Sequence, residues 1–265
     1  MSPDRTLKHL YSAVDRRQAG NAAQTITKRL RSDHDIATDE GMVGTRELRD
    51  SISSLNISVD TRLVDLGSGS AEPSRWISAQ TGCSLVGVDV SPERITRIPL
   101  TAQVQATRAD LSGGLPFCDS AFNASVQYDS IVHVADRGTY LDELRRITEP
   151  GSILALTSST NQPLSEREQL GLGDVPGTIW RLTTSELEAV LERHGWRVST
   201  IRSRREEMLA YHSARRDCLL AAEEHLENEL PKEDFERLVN RAATVAELLH
   251  GQRLDMIFLT AVRRG

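Results

Sequence analysis

The stretch LVDLGSGSA at residues 63–71 decides the fold of this chain, together with GVDVS at residues 87–91. The first stretch is typical of a buried strand that runs into a Gly-rich turn and then a helix, and the second of a buried strand that ends on an acid. Glycines let a backbone approach a ligand closely, and the start of a helix offers N–H groups to it. A carboxylate at the tip of the second strand can accept hydrogen bonds from both hydroxyls of a ribose. The two stretches therefore predict a site for an adenosine-containing cofactor.

The spacing of the glycines indicates which cofactor this is. A dinucleotide-binding turn has the pattern G-x-G-x-x-G, whereas here Gly67 and Gly69 are followed by Ala71 and no third glycine. A nicotinamide-dependent dehydrogenase is therefore disfavoured. With Asp65 before the first glycine and Asp89 closing the second strand, the residues resemble the class I S-adenosylmethionine-dependent methyltransferases.

The resemblance extends over three further segments, in the family's order. The segment ADL at residues 109–111 follows the third predicted strand, where the family has an acid or amide near the adenine. The segment LPFCDSAF at 115–122 resembles the family's LPF-x-D-x-x-F approach to strand four, and ITEPG at 147–151 resembles its L-x-P-G-G turn. Several signals in the right order over residues 60–160 are specific, although each alone is weak.

The resemblance also implies which residues hold the cofactor. Asp65 and the 67–69 turn would bind its methionine part, Asp89 the ribose, and Asp110 with Leu111 the adenine. The full implied set is Asp65, Gly67, Ser68, Gly69, Asp89, Val90, Asp110, Leu111, Gln127 and Tyr11.

The loop QYDSIVHVAD at residues 127–136 contains the candidate catalytic residues. Related sugar O-methyltransferases have paired histidines here (HH-x-x-D), and in this chain His133 stands at the second position and Val132 at the first. His133 is a candidate general base, with packing against a backbone carbonyl as an equal alternative. Asp129 is expected either to orient the substrate or to cap the turn. Gln127 would approach the amino-acid end of the cofactor.

A few residues in the flanking segments are further candidates. Tyr11 stands where related enzymes have a tyrosine that closes over the cofactor, and a core role is equally consistent with its position. His34, Trp180, Tyr211 and His212 could line an acceptor pocket, although such residues are more often surface or packing positions.

The length, charge and cysteine content of the chain argue against several other classes of protein. The 265 residues suit one large domain or a core with a cap. A formal net charge of −6 argues against a nucleic-acid partner. Three scattered cysteines without metal-ligand spacing favour a reduced, cytoplasmic protein with no metal site. No stretch is apolar enough to span a membrane or to form a leader, so a soluble chain is expected.

The periodicity predicts an α/β, Rossmann-like seven-stranded sheet whose last strand is antiparallel, with helices on both faces and a helical cap. Strands are expected near 61–66, 84–89, 103–108, 121–127, 152–157, 196–201 and 254–262, and a loop or lid over 161–179. The domain division is 1–57 for an N-terminal cap segment, 58–202 with 251–265 for the core, and 203–250 for a cap insertion of two helices. Four arginines are expected on solvated helix faces and not in a phosphate clamp: Arg204, Arg205, Arg215 and Arg216.

The function that follows is methyl transfer from S-adenosylmethionine to an O or N atom of a small molecule, in bacterial secondary metabolism. Two alternatives keep the fold: a relative that catalyses a non-methylating reaction such as a cyclisation, and a nucleoside-binding module without turnover. A homodimer through apolar faces of the 203–250 helices is possible.

Overall fold

The computed structural model describes residues 28–36, 42–174, 177–226 and 230–265. The strands are β1 (Arg62–Leu66), β2 (Ser84–Asp89), β3 (Val104–Arg108), β4 (Phe122–Tyr128), β5 (Thr148–Asn161), β6 (Trp196–Ser203) and β7 (Leu254–Arg263). The helices are α1 (Thr45–Ser54), α2 (Glu72–Thr81), α3 (Pro92–Ile95), α4 (Arg137–Ile147), α5 (Glu166–Leu172), α6 (Thr184–Arg193), α7 (Arg205–Ala221), α8 (Glu223–Leu226) and α9 (Lys232–His250). A 3₁₀ turn at Ile131–His133 follows β4, and residues 28–33 are helical.

The strands form a single sheet in the order β3-β2-β1-β4-β5-β7-β6. Neighbours from β3 to β5 are parallel, while β7 is antiparallel to both β5 and β6. This confirms the predicted seven-stranded sheet with an antiparallel last strand. Because the order reverses beside β1, the carboxyl ends of β1, β2 and β4 open a crevice at one edge, which is where open α/β sheets bind ligands.

Both faces of the sheet are covered by helices, as the near-continuous apolar strands β1 and β2 predict. One face packs against α4 and α6, where Leu141, Leu144, Leu187 and Leu191 are buried. The other face packs against α1 and α2, through side chains such as Leu48 and Ile77. The sheet is therefore the middle layer of three.

Two helices begin at residues whose side chains cap them. Ser91 caps α3, where its hydroxyl oxygen accepts a hydrogen bond from Arg94 N at 3.3 Å. Thr183 and Glu186 form a reciprocal capping box at the start of α6. Within the described ranges, no helix combines the length and the apolarity needed to cross a bilayer.

Three predictions about elements were wrong. The strand expected at 152–157 runs over Thr148–Asn161, because its polar end pairs with β7 as far as Leu254. The segment expected to be a loop contains α5, whose start has its own capping box from Ser165 and Glu168. The 203–250 region contains a short third helix, α8, between α7 and α9.

A third apolar cluster joins the flanking helices. It contains Leu30 and Ile36 from the N-terminal part, Leu172 of α5, Met208 and Tyr211 of α7, and side chains from the second half of α9, such as Val245 and Leu248. Helices from distant parts of the chain therefore pack into one layer beside the sheet.

Candidate active site

The Gly-rich turn between β1 and α2 folds back onto the tip of β2. The backbone N–H groups of Gly67 and Ser68 both donate to the carbonyl oxygen of Val88, at 2.8 and 2.9 Å. Gly67 and Gly69 have φ values of 70° and 57°, which glycine adopts without a steric cost. A Cβ atom at Gly67 would lie 2.5 Å from the Ser130 side chain, so only glycine fits between this turn and the loop after β4.

Asp89 connects this turn to the end of β2. One carboxylate oxygen accepts a hydrogen bond from Gly69 N at 2.8 Å, and the other accepts one from Ser91 N at 2.8 Å. Each oxygen of an ionised carboxylate has more than one acceptor position, so two neighbouring hydroxyls can still bind to it. Asp89 is thus both a structural part of the turn and an acceptor suited to a ribose.

Two buried polar groups beside the crevice lack protein partners. The Gln127 side chain is fully buried at the end of β4, and its Oε1 accepts a hydrogen bond from the Tyr140 hydroxyl at 3.0 Å. Its Nε2 has no hydrogen-bond partner among the described residues, and neither has the buried Ser68 hydroxyl. Because buried polar groups are nearly always hydrogen-bonded, these two atoms fit a polar ligand in the crevice.

The other predicted cofactor residues lie around the same turn. Asp65 is buried and accepts a hydrogen bond from the Ser74 hydroxyl at 2.6 Å. The Leu111 side chain lies 3.7 Å from the Cβ position of Gly67. Asp110 is exposed and accepts from Ser112 N, while Val90 accepts from the Arg108 side chain through its carbonyl. Tyr11 lies outside the described residues.

Asp129 follows β4 directly and lies in a strained conformation. Its φ is 53°, an uncommon value for a residue other than glycine, and its N–H donates to the carbonyl oxygen of Thr157 on β5 at 3.0 Å. Burial raises the pKa of the Asp129 carboxyl, against the opposing effect of His133 and of three arginines. A strained, enclosed carboxyl group at a strand tip is a common feature of functional sites.

His133 lies on the 3₁₀ turn and contacts the loop before α6. Its Nδ1 lies 3.0 Å from the carbonyl oxygen of Thr178. Because a carbonyl only accepts, Nδ1 bears the proton, and Nε2 is the basic nitrogen of the neutral ring. The expected contact with a backbone carbonyl is therefore present, and it selects the tautomer that a general base on Nε2 requires.

The four residues from the flanking segments that could line an acceptor pocket lie in two places. His34, Tyr211 and His212 come together, with ring centroids 5.9 Å apart for the first pair and 5.1 Å for the second. The Trp180 backbone N–H donates to the Val132 carbonyl at 2.7 Å, which fixes the loop over His133.

The sequence prediction for Arg204 was wrong. The side chain is 3% exposed and forms an ion pair with Glu47 of α1 at 3.1 Å, rather than lying on a solvated helix face. Sequence reasoning also missed Arg181, which forms a two-contact ion pair with Asp174, and Arg241 on α9. One signal for Arg241 was present, since it interrupts an apolar row that contains Leu238 and Val245.

Known proteins resemble this chain in sequence and in fold. A family model described as a methyltransferase domain matches residues 64–156. Methyltransferase GfsG of Streptomyces halstedii is 28% identical over 109 residues, which are 38% of this chain and 39% of that protein. The glycine/sarcosine/dimethylglycine N-methyltransferase of Actinopolyspora halophila is 26% identical over 144 residues, 52% of this chain and 25% of that protein. The chain thus spans less than half the length of these curated relatives.

Solved structures extend the likeness to most of the chain. A putative sarcosine dimethylglycine methyltransferase from Galdieria sulphuraria superposes with a TM-score of 0.73 at 13% identity, over 92% of this chain and 99% of that one. The [4+2]-cyclase SpnF superposes with a TM-score of 0.65 at 17% identity, over 83% of this chain and 80% of that one. At these identities the superpositions show the fold alone.

The matched family segment begins within β1 and ends within β5, so it contains the Gly-rich turn, Asp89 and the loop with Asp129 and His133. Motif order, sheet topology and the family match agree. Residues 64–156 match a methyltransferase domain, and the motif order and sheet topology make the chain similar to the class I S-adenosylmethionine-dependent methyltransferases.

Proposed function

We propose that this protein transfers the methyl group of S-adenosylmethionine to an oxygen or nitrogen atom of a small molecule. One observation carries the proposal: the crevice has the Gly-rich turn with Asp89 on one side and Asp129 with His133 on the other. This arrangement supports a cofactor site and a pair of proton-handling groups at the same edge of the sheet.

The cofactor supplies a methyl group on positively charged sulfur, which is already activated toward a nucleophile. The protein has mainly to align the two reactants and to exclude water. We assign the holding of the methionine part to Asp65, Ser68 and the glycines of the turn, and that of the ribose to Asp89 and Val90. Asp110 and Leu111 would hold the adenine, Gln127 the amino-acid end, and Tyr11 is kept in the proposal as a closing residue.

His133 would act on the acceptor. A hydroxyl acceptor gains from a general base, and Nε2 of His133 would take the proton of that hydroxyl. Asp129, held at the end of β4 by its bond to Thr157, would orient the acceptor. An amine acceptor needs only a group that receives its proton.

The first experiment is a calorimetric titration of the protein with S-adenosylmethionine, S-adenosylhomocysteine and NAD. We expect the first two to bind and NAD not to bind. Binding of NAD alone, or of none of the three, would contradict the proposal. A screen of small-molecule acceptors that measures release of S-adenosylhomocysteine then tests turnover.

Release of S-adenosylhomocysteine also separates methyl transfer from the non-methylating alternative. The fold likeness to the [4+2]-cyclase SpnF means that the architecture alone does not select the reaction. A relative that catalyses a cyclisation would convert its substrate and leave the methyl group on the cofactor, whereas a binding module would convert nothing.

The ribose assignment gives the first testable prediction. We expect Asp89→Ala to weaken S-adenosylhomocysteine binding by about 1.5–3 kcal/mol, the range for losing hydrogen bonds to a charged group. Calorimetry with Asp60→Ala as the control, an exposed acid in the turn before β1, measures this. Unchanged affinity in a folded Asp89→Ala protein would refute the assignment.

The domain division, the partner, the cellular location and the biological role expected from the sequence are also part of the proposal. The apolar cluster that joins residues 28–36 with α7 and α9 supports the division into segments 1–57 and 203–250 as a cap, and 58–202 with 251–265 as the core. The net charge of −6 supports a small-molecule partner rather than nucleic acid. The free cysteines Cys83, Cys118 and Cys218 support a reducing, cytoplasmic location. A homodimer and a role in bacterial secondary metabolism complete the proposal.

A further inference from the structure

Arg181, Arg204 and Arg241 lie near Asp129, and Arg215 lies near Arg241. Among the described residues, Arg215 and Arg241 have no ion-paired acid. Arg181 pairs with Asp174, and Arg204 pairs with Glu47. Arg215 on α7 and Arg241 on α9 form no ion pair or hydrogen bond with any residue in the described part of the chain, and the Nε of Arg215 is a buried donor without a partner.

The packing of α7 against α9 brings these two guanidinium groups together. Tyr211, Val245 and Leu248 belong to one buried cluster between the helices. Arg215 lies one turn after Tyr211 on α7, and Arg241 lies one turn before Val245 on α9, so both emerge at the same border of the cluster.

Arg241 is exposed to solvent and lies near other charged groups. More than a third of its residue surface is accessible to solvent. Burial nevertheless lowers the pKa of its guanidinium, and the charge of nearby Arg215 lowers it further, while Asp129 and Asp174 act in the opposite direction. The Arg241 guanidinium is therefore open to solvent and still close enough to Arg215, Asp129 and Asp174 for their charges to act on it.

Neighbouring buried groups on α7 also lack partners. His212 is 6% exposed, and neither of its ring nitrogens has a hydrogen-bond partner among the described residues. The Tyr211 hydroxyl is fully buried and equally without one. His212 precedes Arg215 by three residues and lies on the same helix face. Polar groups buried in this way normally bond to protein, water or a ligand.

We propose that Arg215 and Arg241 bind an anionic group, a carboxylate or a phosphate, of the methyl acceptor. The inference rests on the proposed function and adds the substrate class to it. Arg215 and Arg241 are neighbouring cations, and neither is ion-paired to an acid among the described residues, so an anion bound between them would relieve their repulsion. Planar guanidinium groups match the oxygens of carboxylates and phosphates. His212 and Tyr211 supply further hydrogen-bonding groups at the same place.

The test uses three probes with the same ring and different head groups: phenyl phosphate, benzoate and neutral benzamide. Each is titrated calorimetrically into the protein saturated with S-adenosylhomocysteine, at constant ionic strength. We expect the two anions to bind and benzamide not to bind, and the tighter anion identifies the head group. Arg241→Gln should weaken anion binding by about tenfold or more, because a charged hydrogen bond is lost.

Arg216→Gln is the matched control, since Arg216 is the next residue on α7 and pairs with adjacent Asp217 at 2.7 Å. It should leave anion binding unchanged, and Arg241→Lys should keep part of it. If Arg241→Gln no longer binds S-adenosylhomocysteine and so is misfolded, Arg215→Gln provides the same comparison.

The outcomes separate this inference from the proposed function. Absence of anion binding in a protein that binds S-adenosylhomocysteine would overturn the inference alone, as would equal loss in Arg216→Gln. Failure to bind S-adenosylhomocysteine in the wild-type protein would overturn the proposed function instead.

Discussion

Asp129 shows how a single residue can be fixed for function at a cost in stability. Its left-handed backbone is held by the bond from its N–H to Thr157, and its carboxyl group is enclosed beside the crevice. Both features oppose folding, since a strained φ and a buried carboxylate each raise the free energy of the folded state. A residue that lowers the stability of the fold in this way is typically retained for a role in a functional site.

This cost gives a prediction with a defined pH dependence. Burial raises the pKa of Asp129 above the 3.8 of an ordinary aspartate, so the folded state keeps the proton to a higher pH than the unfolded state. Stability therefore falls as the pH rises from 3.8 through the folded-state pKa, and it stays lower above that value. Asn does not ionise, so we expect Asp129→Asn to be more stable than wild type at neutral pH, with the difference shrinking toward about pH 4.

Thermal unfolding across this pH range measures the effect, with Asp60→Asn, an exposed acid, as the control. A constant difference between Asp129→Asn and wild type at every pH would show that the carboxyl group does not titrate in this way. Greater stability with weaker turnover would match a residue retained for the reaction.

Elements were predictable where their signals are local. The buried runs of β1 and β2 depend on adjacent residues, and the structure has both strands within a residue of their predicted ends. The end of β5 was missed because its polar residues are drawn into the sheet by β7, which lies far away in the sequence.

In the candidate site, too, the features set by adjacent residues were predictable and those set by tertiary packing were not. The Gly-rich turn and Asp89 were predictable because their spacing is a motif in itself. The arginines near Asp129 were not predictable, since Arg181, Arg204 and Arg241 come from three separate segments that only tertiary packing brings together. Arg204 was placed on a solvated face because helix periodicity cannot show that Glu47 lies opposite.

The capping box of α6 provides a prediction at the scale of an element. The Thr183 hydroxyl oxygen accepts from Glu186 N at 3.2 Å, and the Glu186 carboxylate accepts from Thr183 N at 2.8 Å. We expect Thr183→Ala to lower the free energy of unfolding by about 0.5–2 kcal/mol, the usual cost of removing an N-cap. Denaturant unfolding measures it, and Glu188→Ala on the exposed face of the same helix should change stability by no more than about 0.5 kcal/mol.

At the scale of the whole molecule, one buried ion pair joins α1 to the β6–α7 corner. Glu47 is 2% and Arg204 is 3% exposed at the side chain, and their charged atoms lie 3.1 Å apart. The Glu47 carboxylate also accepts from Gly44 N at 2.9 Å, and Arg204 donates to the Met42 carbonyl at 2.9 Å. The pair therefore fixes the segment before α1 against the helices that carry Arg215 and Arg241.

Removing one partner of this buried ion pair should lower the free energy of unfolding far more than breaking an ion pair on the surface. Glu47→Ala removes the nearer acid from buried Arg204 and leaves only Glu207, whose half-exposed carboxylate lies 3.7 Å from the Arg204 Nε. We therefore expect a loss of about 3 kcal/mol in the free energy of unfolding, the lower end of the range for breaking a buried pair. Glu149→Ala breaks the surface pair with Arg62, whose side chains are 43% and 48% exposed, and should cost about 0–1 kcal/mol. Urea unfolding of both variants measures the contrast. Equal, small losses would mean that Arg204 reaches solvent or another acid when Glu47 is removed, and that the corner is held by apolar packing alone.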